Sequence, residues 1–240
     1  MSIFGRDAHL TEVAAAIAAG EPAPTADDFA REIEPASSAA RLRVGVPAAD
    51  QLTFDGDEAA RQAHLVAVET VLQRFDAEAV EIDLEPLLAT GALLYGGALV
   101  AGRYEAVGEF LETDPADADP TVRQIILAAG DLPAWQYLRD QDELGRRREQ
   151  AAMLWADIDV LVLPVVPRIP TVAETLADPI GVNTMLGTYT TFVNLLHLSA
   201  VALPVGPGGP DHPPASVQLV APDGADRRLA ALAAALLDRR

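Results

Sequence analysis

Apolar residues change period several times along the chain, and each change marks an element. Over 8–19, Leu10, Val13, Ala14 and Ile17 share one face at helical spacing, and Gly20 ends the run. Residues 21–40 are rich in proline, alanine and acid and read as a connecting loop. LRVGVP at 42–47 reads as a strand closed by proline. From 57 to 75 the spacing returns to three and four, with Ala60, His64, Val68, Val71 and Leu72 on one side of an amphipathic helix. AVEID at 79–83 then alternates as a second strand. Strand, helix, strand in this order favours a parallel pair.

The middle of the chain reads as helical. A single long helix is expected over 87–113, and DPADADP at 114–120 breaks it with two prolines. Helices follow over 121–129 and 134–155, the second carrying Arg146, Arg147 and Arg148 on an otherwise amphipathic face. DVLVLPVVP at 159–167 is apolar on both faces, the mark of a central strand. A loop over 168–183 leads to a helix through 191–196. Strands at 201–205 and 216–220 flank a glycine- and proline-rich turn at 206–210. An alanine- and leucine-rich helix occupies 226–240. The pattern is that of an α/β protein.

Composition narrows the chemistry. The 240 residues, half of them hydrophobic, suffice for a sizeable core. Acidic residues number 36 against 17 basic ones, a net charge of −19. Every basic residue is an arginine; the sequence contains no lysine and no cysteine. That excludes a phosphate-binding P-loop lysine, a Schiff base, a thiol nucleophile and a cysteine-held metal within these residues. The negative charge argues against nucleic acid or an anionic membrane as partner. The apolar stretch at 13–19 is short and lacks a basic leader, and the charge-free run at 86–102 is interrupted by Thr90 and glycines. A soluble, cytoplasmic protein is the expectation.

Candidate catalytic groups are sparse. The serines Ser2, Ser37, Ser38, Ser199 and Ser216 lie outside any Gly-x-Ser-x-Gly elbow. Asp114, Asp117 and Asp119 could face a calcium ion, but the segment lacks the glycine and distal glutamate of an EF-hand, and a solvated loop is the simpler reading. The histidines His9, His64, His197 and His212 are scattered, with His64 on the half-buried face of its helix and His197 at a helix-to-strand junction. No metal and no cofactor is expected. Tyr95 and Arg103 stand eight residues apart on the expected long helix, about 80° apart around its axis. A phenol and a guanidinium so placed can clamp a carboxylate. From spacing alone, a packed tyrosine and a surface arginine remain the simpler reading.

Several segments carry a resemblance. LRVGVP at 42–47, ADIDVLVLPVVP at 156–167 and the stretch from Asp178 through Gly206 resemble the later part of the amidase signature enzymes. Within that family, LLYGGALVAGRY at 93–104 and GTYTTFVNLL at 187–196 are most similar to the allophanate hydrolases. The likeness extends from Arg41 to about Leu236, and more weakly back to Ser2, Ile3 and Phe4. It implies a mixed, mostly parallel sheet flanked by helices, with residues 1–40 as a helix and linker and 41–240 as the C-terminal part of an amidase domain.

The resemblance also implies a reaction: hydrolysis of a linear amide, here allophanate to ammonia and carbon dioxide in urea degradation. It matches Tyr95 and Arg103 to contacts with the substrate carboxylate. The family's Ser–cis-Ser–Lys triad and its Gly/Ser-rich loop precede the region matched here, so no catalytic residue is carried over. Carboxylate binding without a nucleophile, base and oxyanion donors gives affinity but no acceleration. The expectation is a chain inactive by itself. Two alternatives stand beside it: a non-catalytic carboxylate-binding module, and half of a split amidase needing a separately encoded N-terminal piece. The expected partners are a small carboxylated amide and either such an N-terminal half or a second copy in a homo-oligomer.

Overall fold

The computed structural model describes residues 3–22, 41–205 and 215–237. Most of the 21–40 linker, the 206–210 turn, Ser2, Ser37, Ser38 and His212 lie outside the described residues. The chain divides into two compact units. One comprises Met1–Asp83, Leu154–Val165 and His197–Arg240; the other comprises Leu84–Met153 and Val166–Leu196.

The first unit is built on a five-stranded sheet. Its strands are β1 (Arg43–Pro47), β2 (Glu78–Ile82), β3 (Val160–Pro164), β4 (Ser199–Val205) and β5 (Ala215–Ala221), in the order β2-β1-β3-β5-β4. β1 pairs parallel with both β2 and β3, whereas β5 runs antiparallel to β3 and β4. The sheet is therefore mixed, parallel on one half and antiparallel on the other. The first parallel pair follows from the crossover helix α2 (Glu58–Arg74), as the strand–helix–strand order predicts. β4 and β5 are joined by a short connection, which suffices only for antiparallel neighbours.

Register sorts the side chains by face. Val162 lies opposite Leu219 and Pro164 opposite Val217, while Val201 lies opposite Leu219 on the other side. Val44, Val160, Val162, Leu203, Val205, Val217 and Leu219 form one core face. Over it lie α2, through Ala67, Val68 and Val71, and α11 (Asp226–Leu237), through Leu229, Leu232 and Ala233. Each buried Val or Leu among them contributes about 1.5–3 kcal/mol. The opposite face carries Leu161, Leu163 and Val220, all fully buried, with Gln218 donating its Nε2 hydrogen to the Pro164 carbonyl at 3.2 Å. β3 is buried along its whole length, as an apolar run without alternation requires. α1 (Ala8–Ala19) starts on the Asp7 side chain, which accepts from the Leu10 N–H, ends at Gly20, and packs on α11.

The second unit is helical: α3 (Glu85–Gly91), α4 (Leu93–Gly96), α5 (Ala101–Glu112), α6 (Pro120–Leu127), the body of α7 (Ala134–Leu154), α8 (Val172–Ala177), α9 (Pro179–Leu186) and α10 (Thr191–Leu195). Two expectations fail here. The single helix over 87–113 is instead α3, α4, a 3-10 turn at Ala98–Val100 and α5, because Gly97 adopts an extended backbone. The loop over 168–183 contains all of α8 and the start of α9. Thr171 and Glu174 close a reciprocal capping box on α8, and Asp178 caps α9 with Pro179 in its first turn. α3 packs on α10, where the Phe192 backbone approaches to 3.5 Å of the space above Gly91. Among the described residues no helix is long and apolar enough to cross a membrane.

Candidate functional site

The segment 93–104 was singled out by sequence, and its backbone is unusual. α4 ends when the Gly97 N–H bonds to the Leu93 carbonyl at 3.2 Å. Gly97 then extends (φ −117°, ψ −174°), and the chain restarts as a 3-10 turn before α5. The Ala98 N–H, which opens that turn, donates to Oδ2 of Asp140 at 2.8 Å. Asp140 sits on α7 and its side chain is only 8% exposed. A Cβ at position 97 would lie 2.8 Å from Asp140 Oδ2 and equally close to the Leu93 carbonyl oxygen. Glycine is required there by close approach.

Tyr95 lies on α4 and Arg103 on α5, so the two candidates flank the Gly97 break. The premise that they share one helix is corrected: their relation is set by the joint, and a uniform rotation per residue does not describe it. Arg103 is exposed on its helix; the Tyr95 side chain lies outside what the structure describes. A cleft of about 350 Å³ opens beside the joint, lined by Gly97, Val100, Gln124, Ile125, Leu132 and Gln136 among others. Its walls are largely apolar, with the amides of Gln124 and Gln136 as polar groups. Next to Arg103, Tyr104 donates its hydroxyl to Glu112, and this bond to a carboxylate holds the phenol proton more tightly than usual.

Several of the other candidates have structural partners. Ser199, buried at the start of β4, donates its hydroxyl to Asp226 at 2.9 Å. Asp119 caps α6, accepting from Thr121 N–H and Val122 N–H, while Asp114 pairs with Arg123 at 3.4 Å. Among the described residues no three His, Asp or Glu side chains gather as a metal site. The arginine run is likewise absorbed: Arg146 and Arg147 pair with Glu143, and Arg148 donates to the Leu195 carbonyl at the end of α10. His197 adopts a left-handed backbone (φ 56°) between α10 and β4.

His64 is buried on α2, with its ring 5.8 Å from that of Phe54. Burial pushes its pKa down to about 4, and neither ring nitrogen is bonded by a protein group among the described residues. It belongs to the packing of the first unit.

Asp140 escaped sequence reasoning, though a signal was present. It stands four residues before Leu144, and these two are the buried residues of α7. A carboxylate on the apolar stripe of an otherwise charged helix marks a buried acceptor.

Comparison with known proteins places these features. The family described as Amidase matches residues 11–230. The urea amidolyase of Lachancea kluyveri is 41% identical over 159 residues, which is 65% of this chain and 9% of that protein. The 2-amino-5-chloromuconic acid deaminase of Comamonas testosteroni is 30% identical over 199 residues, covering 80% of this chain and 42% of that one. Among solved structures, an allophanate hydrolase of Kluyveromyces lactis superposes with a TM-score of 0.74 at 31% identity, covering 83% of this chain and 35% of that one. The chain thus spans under half the length of each of these relatives. With the match running through nearly the whole sequence and the mixed sheet shared, the chain belongs to the amidase family.

Proposed function

We propose that this chain is the C-terminal part of an allophanate hydrolase-like amidase domain, and that it supplies the pocket for the carboxylate of a small carboxylated amide. Residues 41–240 form that part, and 1–40 a preceding helix and linker. Tyr95 and Arg103 hold the substrate carboxylate, the guanidinium in bidentate fashion and the phenol by its hydroxyl. The observation that carries the reading is the 41% identity to a urea amidolyase, joined to the fold shared with an allophanate hydrolase.

The chemistry of hydrolysis lies elsewhere. An amide carbon needs an activated nucleophile, a base to take its proton and donors for the oxyanion. The triad implied by the resemblance includes a lysine, and these 240 residues contain none. The chain therefore binds without turning over, and a segment bearing the serines and the lysine completes the enzyme in the cytoplasm. No cofactor or metal enters this scheme.

Calorimetry with malonate, a dicarboxylate of allophanate's size, tests the binding. The wild-type chain is expected to give heat on binding, and Arg103→Ala to weaken affinity about tenfold or more, the scale of one charge-assisted contact. No heat from the wild type overturns the carboxylate site. Ammonia release from allophanate by the purified chain, above that of a Tyr95→Phe/Arg103→Ala double variant, overturns the claim of inactivity.

A further inference from the structure

We infer that Asp140 is a positioning residue for the carboxylate pair, fixing the joint that sets Tyr95 relative to Arg103; this rests on the proposed role of those two residues. Two side chains on separate helical segments can grip one ligand only if the joint between the segments is fixed. Here that joint is a single extended glycine followed by one 3-10 turn, an element with strained hydrogen-bond geometry. Its first N–H, from Ala98, has no acceptor within the turn and is fully buried with its residue. Asp140 Oδ2 accepts it at 2.8 Å.

The fit is reciprocal. Gly97 leaves the room that the Asp140 carboxylate occupies, since a Cβ there would fall 2.8 Å from Oδ2. The carboxylate reaches the joint from α7, a 21-residue helix 42 positions further along the chain. Its other oxygen lies 3.4 Å from Nε of the neighbouring Arg139, whose guanidinium in turn lies over the Trp135 ring. Burying a carboxylate is costly even with the Arg139 guanidinium beside it, and a neutral Asn or Ser would cap a turn at lower cost. What the charge adds is stiffness, because a charge-assisted bond resists opening more than a neutral one. A stiff joint preorganises the two ligand-binding segments, which lowers the ordering cost of binding.

The test uses the 240-residue chain, with amide hydrogen exchange read by NMR beside malonate calorimetry. The Ala98 amide is expected at low field and slow to exchange in the wild type. Asp140→Ala should speed exchange across 93–103 by about tenfold, leave the β3 amides unchanged, and weaken malonate binding by about as much. Asp140→Asn keeps an acceptor oxygen without the charge and should recover only part of the affinity lost in Asp140→Ala. Gly97→Ala, which displaces the joint without removing the carboxylate, should weaken malonate while the far-UV circular dichroism stays native; it carries the test if Asp140→Ala does not fold. Asp140→Ala or Gly97→Ala binding malonate like the wild type overturns the positioning role alone. Unchanged exchange over 93–103 in Asp140→Ala also overturns it. A wild type that gives no malonate heat overturns the carboxylate site, and the positioning role with it.

Discussion

Arg43 and Asp159, 116 residues apart, lock β1 to the entry of β3. Asp159 accepts from the Arg43 backbone N–H at 2.8 Å and from its guanidinium at 3.0 Å, and the Asp159 N–H donates back to the Arg43 carbonyl at 2.8 Å. The guanidinium also reaches the Ala156 carbonyl. Burial alone would raise the Asp159 pKa, but the hydrogen bonds from Arg43 outweigh it and hold the pKa below the ordinary value. A depressed carboxylate pKa stabilises the fold above the unfolded value, and that contribution disappears as pH falls through the folded one. Asp159→Ala leaves the part-buried Arg43 N–H without its acceptor and should cost about 1 kcal/mol, a fall of roughly 2–4 °C in melting temperature. Thermal melts at pH 7 and at pH 3 check both statements: the variant's deficit should shrink at the lower pH.

His64 titrates in a different window. With an unfolded pKa of 6.5 and a folded one of about 4, the imidazole is mostly neutral in both states at pH 7 and adds little slope. Between those values the unfolded chain takes up a proton that the folded chain refuses, so stability falls as pH falls. The loss is complete below the folded pKa and amounts to about 3 kcal/mol. His64→Leu should remove this limb, leaving melting temperature flat from pH 6.5 to 5. A variant whose melting temperature tracks the wild type through that range would show that the ring is solvated.

Gly45 on β1 is a packing requirement. A Cβ there would meet Cδ1 of Ile158 at 2.5 Å, and Ile158 is itself 1% exposed with no space to retreat. Gly45→Ala is expected to destabilise by about 1–3 kcal/mol through overpacking. Adding Ile158→Val removes the offending methyl, so the double variant should regain stability relative to Gly45→Ala alone. Denaturant midpoints of the wild type, both single variants and the double variant form the cycle that measures this coupling.

The net charge of −19 predicts a response to salt. Exposed carboxylates outnumber their arginine partners, and their mutual repulsion opposes the compact state. Raising KCl from about 0.1 to about 1 M shortens the screening length from ~10 to ~3 Å. The exposed pairs, such as Arg61 with Glu58, lose little by comparison. Melting temperature should therefore climb with salt; a decline would mean that the arginine pairs contribute more than the repulsion.

How much of this could be read from sequence depended on the range of the forces involved. The strands were legible because β-branched runs such as Val160–Pro164 announce burial locally, and α2 because Ala60, His64, Val68, Val71 and Leu72 repeat at helical spacing. The joint at Gly97 was not, because what holds it is a carboxylate 42 residues away. Helical propensity carries 87–113 as one piece until Asp140 is placed beside it. Tyr95 and Arg103 are candidates from their spacing and, more strongly, from family likeness, and the spacing argument fails with the helix that supported it. The helices within 168–183 differ: Thr171-x-x-Glu174 and Asp178-Pro179 are local start signals, but no long apolar stripe follows them.

α8 has six residues and none of them is buried; Val172 and Leu176 are 77% and 78% exposed. Tertiary packing therefore does little for it, and a helix this short is far below the length that stands alone in water. What remains is its cap. Thr171 Oγ1 accepts from the Glu174 N–H at 3.2 Å, and Glu174 Oε2 accepts from the Thr171 N–H at 2.7 Å. The Thr171 N–H and hydroxyl pull the Glu174 pKa down, with Arg168 adding to the effect. Thr171→Ala should cost about 1 kcal/mol, yet leave the global melting temperature almost unmoved, because α8 opens without unfolding the rest. Hydrogen exchange checks it: the α8 amides should speed up in Thr171→Ala and stay protected in Thr171→Ser. Lowering the pH should open α8 in the wild type as Glu174 takes up its proton, and Thr171→Ala should respond less, having already lost half of the box.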